Sequence, residues 1–166
     1  DSITYNEPII PIEQPSKEGY TFSGWVGMPA VMPAHDVTIT STYTINTYQI
    51  SYVVEGETIH TDSITYNEPI TLIDYPEKEG FTFSGWIGVP VIMPANDVTA
   101  GGEFFIKTTQ TDAQGLMYTM DETTETFEVS NYDDSMGESI TIPTDLYGYP
   151  VSGIKNRALM GANMQR

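Results

Sequence analysis

The sequence contains no cysteine, six lysines and arginines in all, and no apolar run approaching a membrane span. Without cysteine there can be no disulfide, thiolate metal site or cysteine nucleophile. Small secreted animal domains usually carry disulfide staples, which leaves a cytosolic protein or a bacterial exported one. The few cations face 23 acidic residues, for a net charge of −17. Phosphate recognition needs clustered cations, so nucleic acid and anionic membrane surfaces are excluded as partners. A spanning helix takes roughly 20 apolar residues, and membrane insertion of this segment is not expected. The opening Asp1-Ser2-Ile3-Thr4 has neither the basic region nor the apolar core of a signal peptide. The expectation is a removed leader or an excised fragment of a longer protein.

What is present is aromatic. Eleven tyrosines and two tryptophans lift an otherwise lean apolar content of 39%. Large rings bury much area per residue, so 166 residues can still build one ordinary core or two to three small ones.

The chain repeats itself. DSITYNEPI at Asp1–Ile9 returns at Asp62–Ile70, KEGYTFSGWVG at Lys17–Gly27 returns as KEGFTFSGWIG at Lys78–Gly88, and MPAHDVT at Met32–Thr38 returns as MPANDVT at Met93–Thr99. Ser2–Thr47 aligned with Ser63–Thr108 gives about 28 identities in 46 positions at a constant offset of 61. Substitutions keep physical type at Tyr20/Phe81, Val26/Ile87, Val31/Ile92 and Tyr43/Phe104, and vary at Ser16/Glu77 and His35/Asn96. Tyr48–Thr61 has no counterpart before Asp1. The natural unit is therefore 48–108, with the first copy (1–47) lacking its opening strand, as expected of a piece cut from a longer array.

Strand signals dominate both copies. Tyr48, Ile50, Tyr52 and Val54 alternate with Gln49, Ser51 and Val53, the period of a half-buried strand. Glu55-Gly56 reads as a two-residue hairpin turn and Thr58–Tyr66 as the return strand. Phe81–Trp86 and Val98–Ile106 read as a third and a fourth strand, separated by a Met93–Asp97 turn. No helical stripe is sustained, and the stretch from Pro76 has room for one helical turn at most. A four-stranded module of this size is marginal alone and gains from a neighbour.

These motifs resemble the Listeria–Bacteroides repeat, the family related to internalin B-repeats, over Asp1 to about Thr108. KEGxTFSGW, present twice, is the most specific part. The resemblance implies a small β-grasp-like fold used in tandem on exported bacterial proteins, with no catalytic residue to carry over.

From Thr109 the texture changes. Thr111–Gly115 is linker-like, and Leu116–Met120 and Thr124–Val129 read as strands before an acidic loop at 131–138. Ser139-Ile140-Thr141-Ile142-Pro143, Gly148-Tyr149-Pro150-Val151, Ile154 and Ala158-Leu159 resemble the entry to a BspA-type leucine-rich repeat array. Residues 109–166 are read as its β-rich cap and first rung, with Leu159 where such arrays usually carry Phe. A rung gains its core by stacking, so the tail beyond Arg157 is expected to pack poorly or dock elsewhere. The fold class expected is mostly β: tandem β-grasp-like modules and the start of a leucine-rich repeat.

Several residue groups invite a functional reading. Trp25 and Trp86 could stack on sugar rings, but their place inside a strand motif favours packing. Asn131, Asp133, Asp134, Ser135 and Glu138 offer oxygen ligands to calcium, yet Met136 and Ile142 stand where an EF-hand needs glycine and glutamate. Asp121, Glu122, Glu125 and Glu128 are numerous enough for a glycosidase pair but lack an expected cleft, and a solvated face is the simpler reading. His35 and His60 complete no triad or zinc set. Met32 and Met93 read as gap fillers. No catalytic, cofactor-binding or metal-ligating residue is assigned, and the ligand-binding residues are unknown.

The function expected is a non-catalytic spacer or adhesion segment of an extracellular, bacterial cell-surface protein. Its partner would be a protein or glycan on a host or neighbouring cell. A carbohydrate-binding module using exposed aromatics is the alternative, and weak self-association through exposed strand edges is a further expectation.

Overall fold

The computed structural model describes residues 2–133 and 140–159. Among these described residues, twelve strands follow one another: β1 (Tyr20–Val26), β2 (Thr40–Ile45), β3 (Thr47–Val54), β4 (Glu57–Thr65), β5 (Phe81–Phe83), β6 (Val98–Gly102), β7 (Phe104–Ile106), β8 (Thr109–Thr111), β9 (Leu116–Asp121), β10 (Thr126–Tyr132), β11 (Asp145–Leu146) and β12 (Tyr149–Ile154). Among the described residues there is no helix, and the Pro76–Gly80 stretch forms none. The fold is mostly β. Contacts divide the chain into two compact units, Asp1–Tyr75 with Gly85–Glu103, and Pro76–Ser84 with Phe104–Arg166.

The first unit holds a three-stranded sheet ordered β4-β3-β6 and a two-stranded sheet β1-β2. The alternation of Thr47–Val54 becomes an alternation of burial, with Ile50 and Tyr52 fully covered. Glu55 and Gly56 both take positive φ, 51° and 88°. That turn's twist matches the strands it joins, so it closes the antiparallel β3–β4 hairpin. The chain then returns as β6, parallel to β3, with Ile50 opposite Val98 and Val54 opposite Gly102. The core beneath is Ile50, Tyr52, Met93, Val98 and Ala100, with Ile64, Ile70, Ile73, Trp86 and Val89 packed against it.

The two copies share their local geometry. Asn6 and Asn67 both adopt φ 66°, a left-handed conformation asparagine tolerates better than most residues. In each copy the same turn is pinned to the methionine segment: Asn6 N donates to Met32 O at 2.8 Å, and Asn67 N to Met93 O at 2.9 Å. They differ in burial. Among the described residues, no apolar side chain before Ile50 is fully buried, and Met32 is half-exposed where Met93 is covered. Two expected strands are also shorter than the pattern suggested. Phe81–Trp86 is strand only through Phe83, beyond which Gly85 takes φ 88°, and Val98–Ile106 breaks at Glu103.

The second unit holds β5 paired with β7, and a five-stranded sheet ordered β11-β12-β10-β9-β8. Its pairs are antiparallel except β10–β12, which is parallel. Leu116, Tyr118, Phe127, Val129 and Ala158 form the core. The burial of Ala158 and the packing of Leu159 against that cluster correct the expectation of a loose tail after Arg157, as far as residue 159. The Thr111–Gly115 stretch is an ordered turn between paired strands rather than a free linker.

Candidate functional site

Two glycines, Gly19 and Gly80, each lie directly beneath a tyrosine ring. Lys17-Glu18-Gly19 turns the chain into β1, with Gly19 buried at φ 75°. The ring of Tyr66 lies so close over Gly19 that a Cβ there would fall inside it. Tyr20 meets the same ring edge-on at 5.9 Å, the Lys17 ammonium stands 3.8 Å from the Tyr20 centroid, and Asn46 N donates to Gly19 O at 2.9 Å. The cation over the ring face adds electrostatic attraction to the packing.

The second unit repeats this seat with a different tyrosine. Gly80 is buried at φ 82°, and the ring of Tyr147 covers it. Phe81 meets Tyr147 at 6.1 Å, Lys78 Nζ stands 4.5 Å from the Phe81 centroid, and Lys107 N donates to Gly80 O at 2.9 Å. The Tyr147 hydroxyl also donates to Glu79 Oε1 at 3.2 Å. Burial first, and then that carboxylate, push its pKa up. Tyr66 belongs to the second repeat and Tyr147 to the C-terminal segment, so one glycine-aromatic end accepts both. Sequence reasoning missed these pairs. The signal available was the KEG triplet, kept in both copies immediately before an aromatic residue.

Trp86 is a packing residue: it meets Tyr52 edge-on at 5.0 Å, and its Nε1 donates to Ile73 O at 3.2 Å. Burial raises the pKa of the Tyr52 hydroxyl. Trp25 contacts Phe22 at 5.2 Å and lines an apolar cavity of about 200 Å³. The cavity wall is built of isoleucine, proline, methionine and that indole, whose Nε1–H is the one strong hydrogen-bonding side-chain group in the lining.

The carboxylates do not converge. Asp121 closes the β9–β10 turn by accepting from Thr123 N at 2.9 Å and Thr124 N at 3.4 Å, and these bonds hold its pKa down. Glu122 and Glu125 are exposed in the same turn, and Glu128 is half-buried on β10. Asn131 ends exposed on that strand, and Asp133 N donates to Gly115 O at 3.0 Å. Asp134, Ser135, Met136 and Glu138 lie outside the described residues. Among the described residues, no three histidine or carboxylate side chains gather closely enough to hold a metal ion. His60 pairs with Asp62 at 3.0 Å on the surface, and His35 is exposed.

Asp112 is a carboxylate held by several bonds. Its Oδ1 accepts from Gln114 N at 2.9 Å and Leu116 N at 3.0 Å, and its Oδ2 accepts the Tyr118 hydroxyl at 2.8 Å. Gln114 exchanges two bonds with the Thr141 backbone, at 2.8 and 3.0 Å. This network ties the turn to the residues that follow the acidic loop. Burial, and then Asp112, push the Tyr118 pKa well above the tyrosine range.

These features define a class: small tandem β modules whose preserved residues serve turns, cores and seats. The profile of the Listeria–Bacteroides repeat domain matches residues 1–47 and again 48–90, more than half of the chain. The chain belongs to that family. It is similar to Internalin H of Listeria monocytogenes, 31% identical over 119 residues, which is 60% of this chain and 22% of the relative. It is also similar to a protein of Evansella cellulosilytica named for its glycine content and an inferred membrane location, 27% identical over 161 residues, 82% of this chain and 18% of the relative. The chain thus spans about a fifth of the length of the curated relatives it matches. Among the described residues, no helix is long and apolar enough to cross a membrane.

Proposed function

We propose that the chain is a non-catalytic spacer and adhesion segment of an extracellular, bacterial cell-surface protein. Tandem repeats would hold the C-terminal segment away from the surface, where it contacts a protein or glycan on a host or neighbouring cell. The observation that carries this reading is the recurrent seat: Gly19 under Tyr66 and Gly80 under Tyr147 use the same closure for two different successors. Likeness to an internalin and to a protein named as membrane-associated supports the surface location.

The finer fold readings have support of the same kind. A β3–β4 hairpin followed by the parallel return β6 suits a β-grasp-like module. The parallel β10–β12 pair, with Ala158 and Leu159 packed into the core, suits the cap and first rung of a leucine-rich repeat, whose strands stack in parallel. The test is display of the protein on a bacterial surface with and without residues 48–108. Shortening is expected to reduce attachment to host cells while leaving the solution affinity of the C-terminal segment unchanged. Turnover of a polysaccharide or peptide by the purified chain would contradict the proposal.

A further inference from the structure

Asn46 is the single residue between β2, the last strand of the first repeat, and β3, the opening strand of the second. Both of its backbone groups are engaged, one on each side of that boundary. Its N–H donates to Gly19 O of the first repeat at 2.9 Å, and its C=O accepts from Tyr66 N of the second at 2.9 Å. The side chain follows the same division. Its Oδ1 accepts from the Thr21 hydroxyl of β1 at 2.6 Å, and its Nδ2 donates to the Tyr48 hydroxyl of β3 over a longer 3.4 Å. An amide suits this place because it offers an acceptor and a donor from one short side chain. The ring of Tyr66 then returns to cover Gly19, closing a circuit through Gly19, Asn46 and Tyr66.

The exit of the second repeat carries the same backbone bond. Lys107, the counterpart of Asn46, donates its N–H to Gly80 O at 2.9 Å. Lysine has no amide to offer there, and Gln110 supplies one. Its Nε2 donates to Gly80 O at 2.7 Å and to Lys107 O at 3.0 Å. An amide side chain therefore braces the exit of both repeats, from a different residue in each.

We infer that Asn46 makes the boundary between the two repeats a fixed joint rather than a hinge. A hinge needs a residue whose φ and ψ can change freely. Turning the chain at Asn46 would break two backbone hydrogen bonds, release the Thr21 hydroxyl and lift a ring off Gly19. A connection of one residue has no slack to absorb such a motion. The use of a fixed joint rests on the spacer reading above: a freely jointed chain gains reach only as the square root of its length, whereas fixed joints let reach grow in proportion to the number of repeats.

Because the chain has no cysteine, spin labels can be placed by substitution without side reactions. Thr40→Cys on β2 and Thr58→Cys on β4, both at exposed positions, put one label on each side of the joint. Double electron–electron resonance on the full chain is expected to give one narrow distance distribution. Asn46→Ala is expected to widen it by at least about twofold, and Thr21→Val, which removes the same bond from the other side, to do likewise. Insertion of Gly-Ser between Asn46 and Thr47 should widen it further. Circular dichroism equal to that of the unaltered chain identifies the variants that are folded. A broad or split distribution in the unaltered labelled chain would overturn the inference, as would one that a folded Asn46→Ala or Thr21→Val chain leaves narrow. The distances are read in solution, so a flexible joint would leave the surface-attachment test standing, and turnover of a substrate by the chain would leave the joint standing.

Discussion

The ring of Tyr66 rests on Gly19, and no other residue fits beneath it. Gly19 combines a left-handed φ of 75° with the space of a single hydrogen. An alanine there meets two penalties, one from its backbone conformation and one from the ring. Gly19→Ala is expected to destabilise the first unit by about 2–4 kcal/mol, as Gly80→Ala does the second. Urea unfolding of each variant measures this, and a loss below about 0.5 kcal/mol would show that the rings are not seated.

Tyr5 and Tyr66 occupy the same position in the two copies, yet Tyr5 is 69% exposed. Truncation should therefore separate them. Tyr66→Ala is expected to cost about 2 kcal/mol through lost apolar burial, and Tyr5→Ala no more than about 0.5 kcal/mol. Thermal unfolding of the pair decides it, and equal losses would contradict the assignment.

The tryptophans give a parallel contrast inside the motif. Trp86 carries an edge-on ring contact and a bond to Ile73 O, so Trp86→Ala should cost about 3–4 kcal/mol. Trp25 lines an open cavity, and Trp25→Ala should cost about 1 kcal/mol. Chemical denaturation monitored by circular dichroism provides the comparison.

The Asp112–Tyr118 bond makes the second unit sensitive to alkali. The Tyr118 pKa is raised in the folded state, so its contribution is fully present below the ordinary tyrosine value of 10.0 and is lost as pH rises through the folded value. Stability should fall above pH 10, and Tyr118→Phe should flatten that part of the profile. At neutral pH the same variant is expected to cost about 1 kcal/mol for its lost hydrogen bond. An unchanged alkaline slope would remove Tyr118 from the account.

The alternation at Tyr48–Val54 and the Glu55-Gly56 dipeptide announced the hairpin because both are local: side-chain period and turn conformation are set within a few residues. The seats were hidden because Gly19 and Tyr66 stand far apart in sequence, and nothing at either position states that a ring must lie on a backbone. The differing fates of Trp25 and Trp86 were hidden for a related reason. The two have nearly the same neighbours in sequence, and their burial depends on whether a strand like β3 stands over them. The break at Glu103 was illegible too, since Val98–Ile106 is continuous in β-propensity while its halves pair with different partners, β3 and β5.

The account turns on β3 as the element that converts repeat sequence into a closed core. Amide hydrogen exchange on the native chain tests this most directly, comparing Val98–Ala100 of β6 with their counterparts Val37–Ile39, which lie outside any strand. Paired and covered amides open only with the unit, whereas unpaired ones exchange through small local fluctuations. The prediction is protection of Val98–Ala100 greater by at least about a hundredfold than that of Val37–Ile39. Equal protection of the two segments would contradict it.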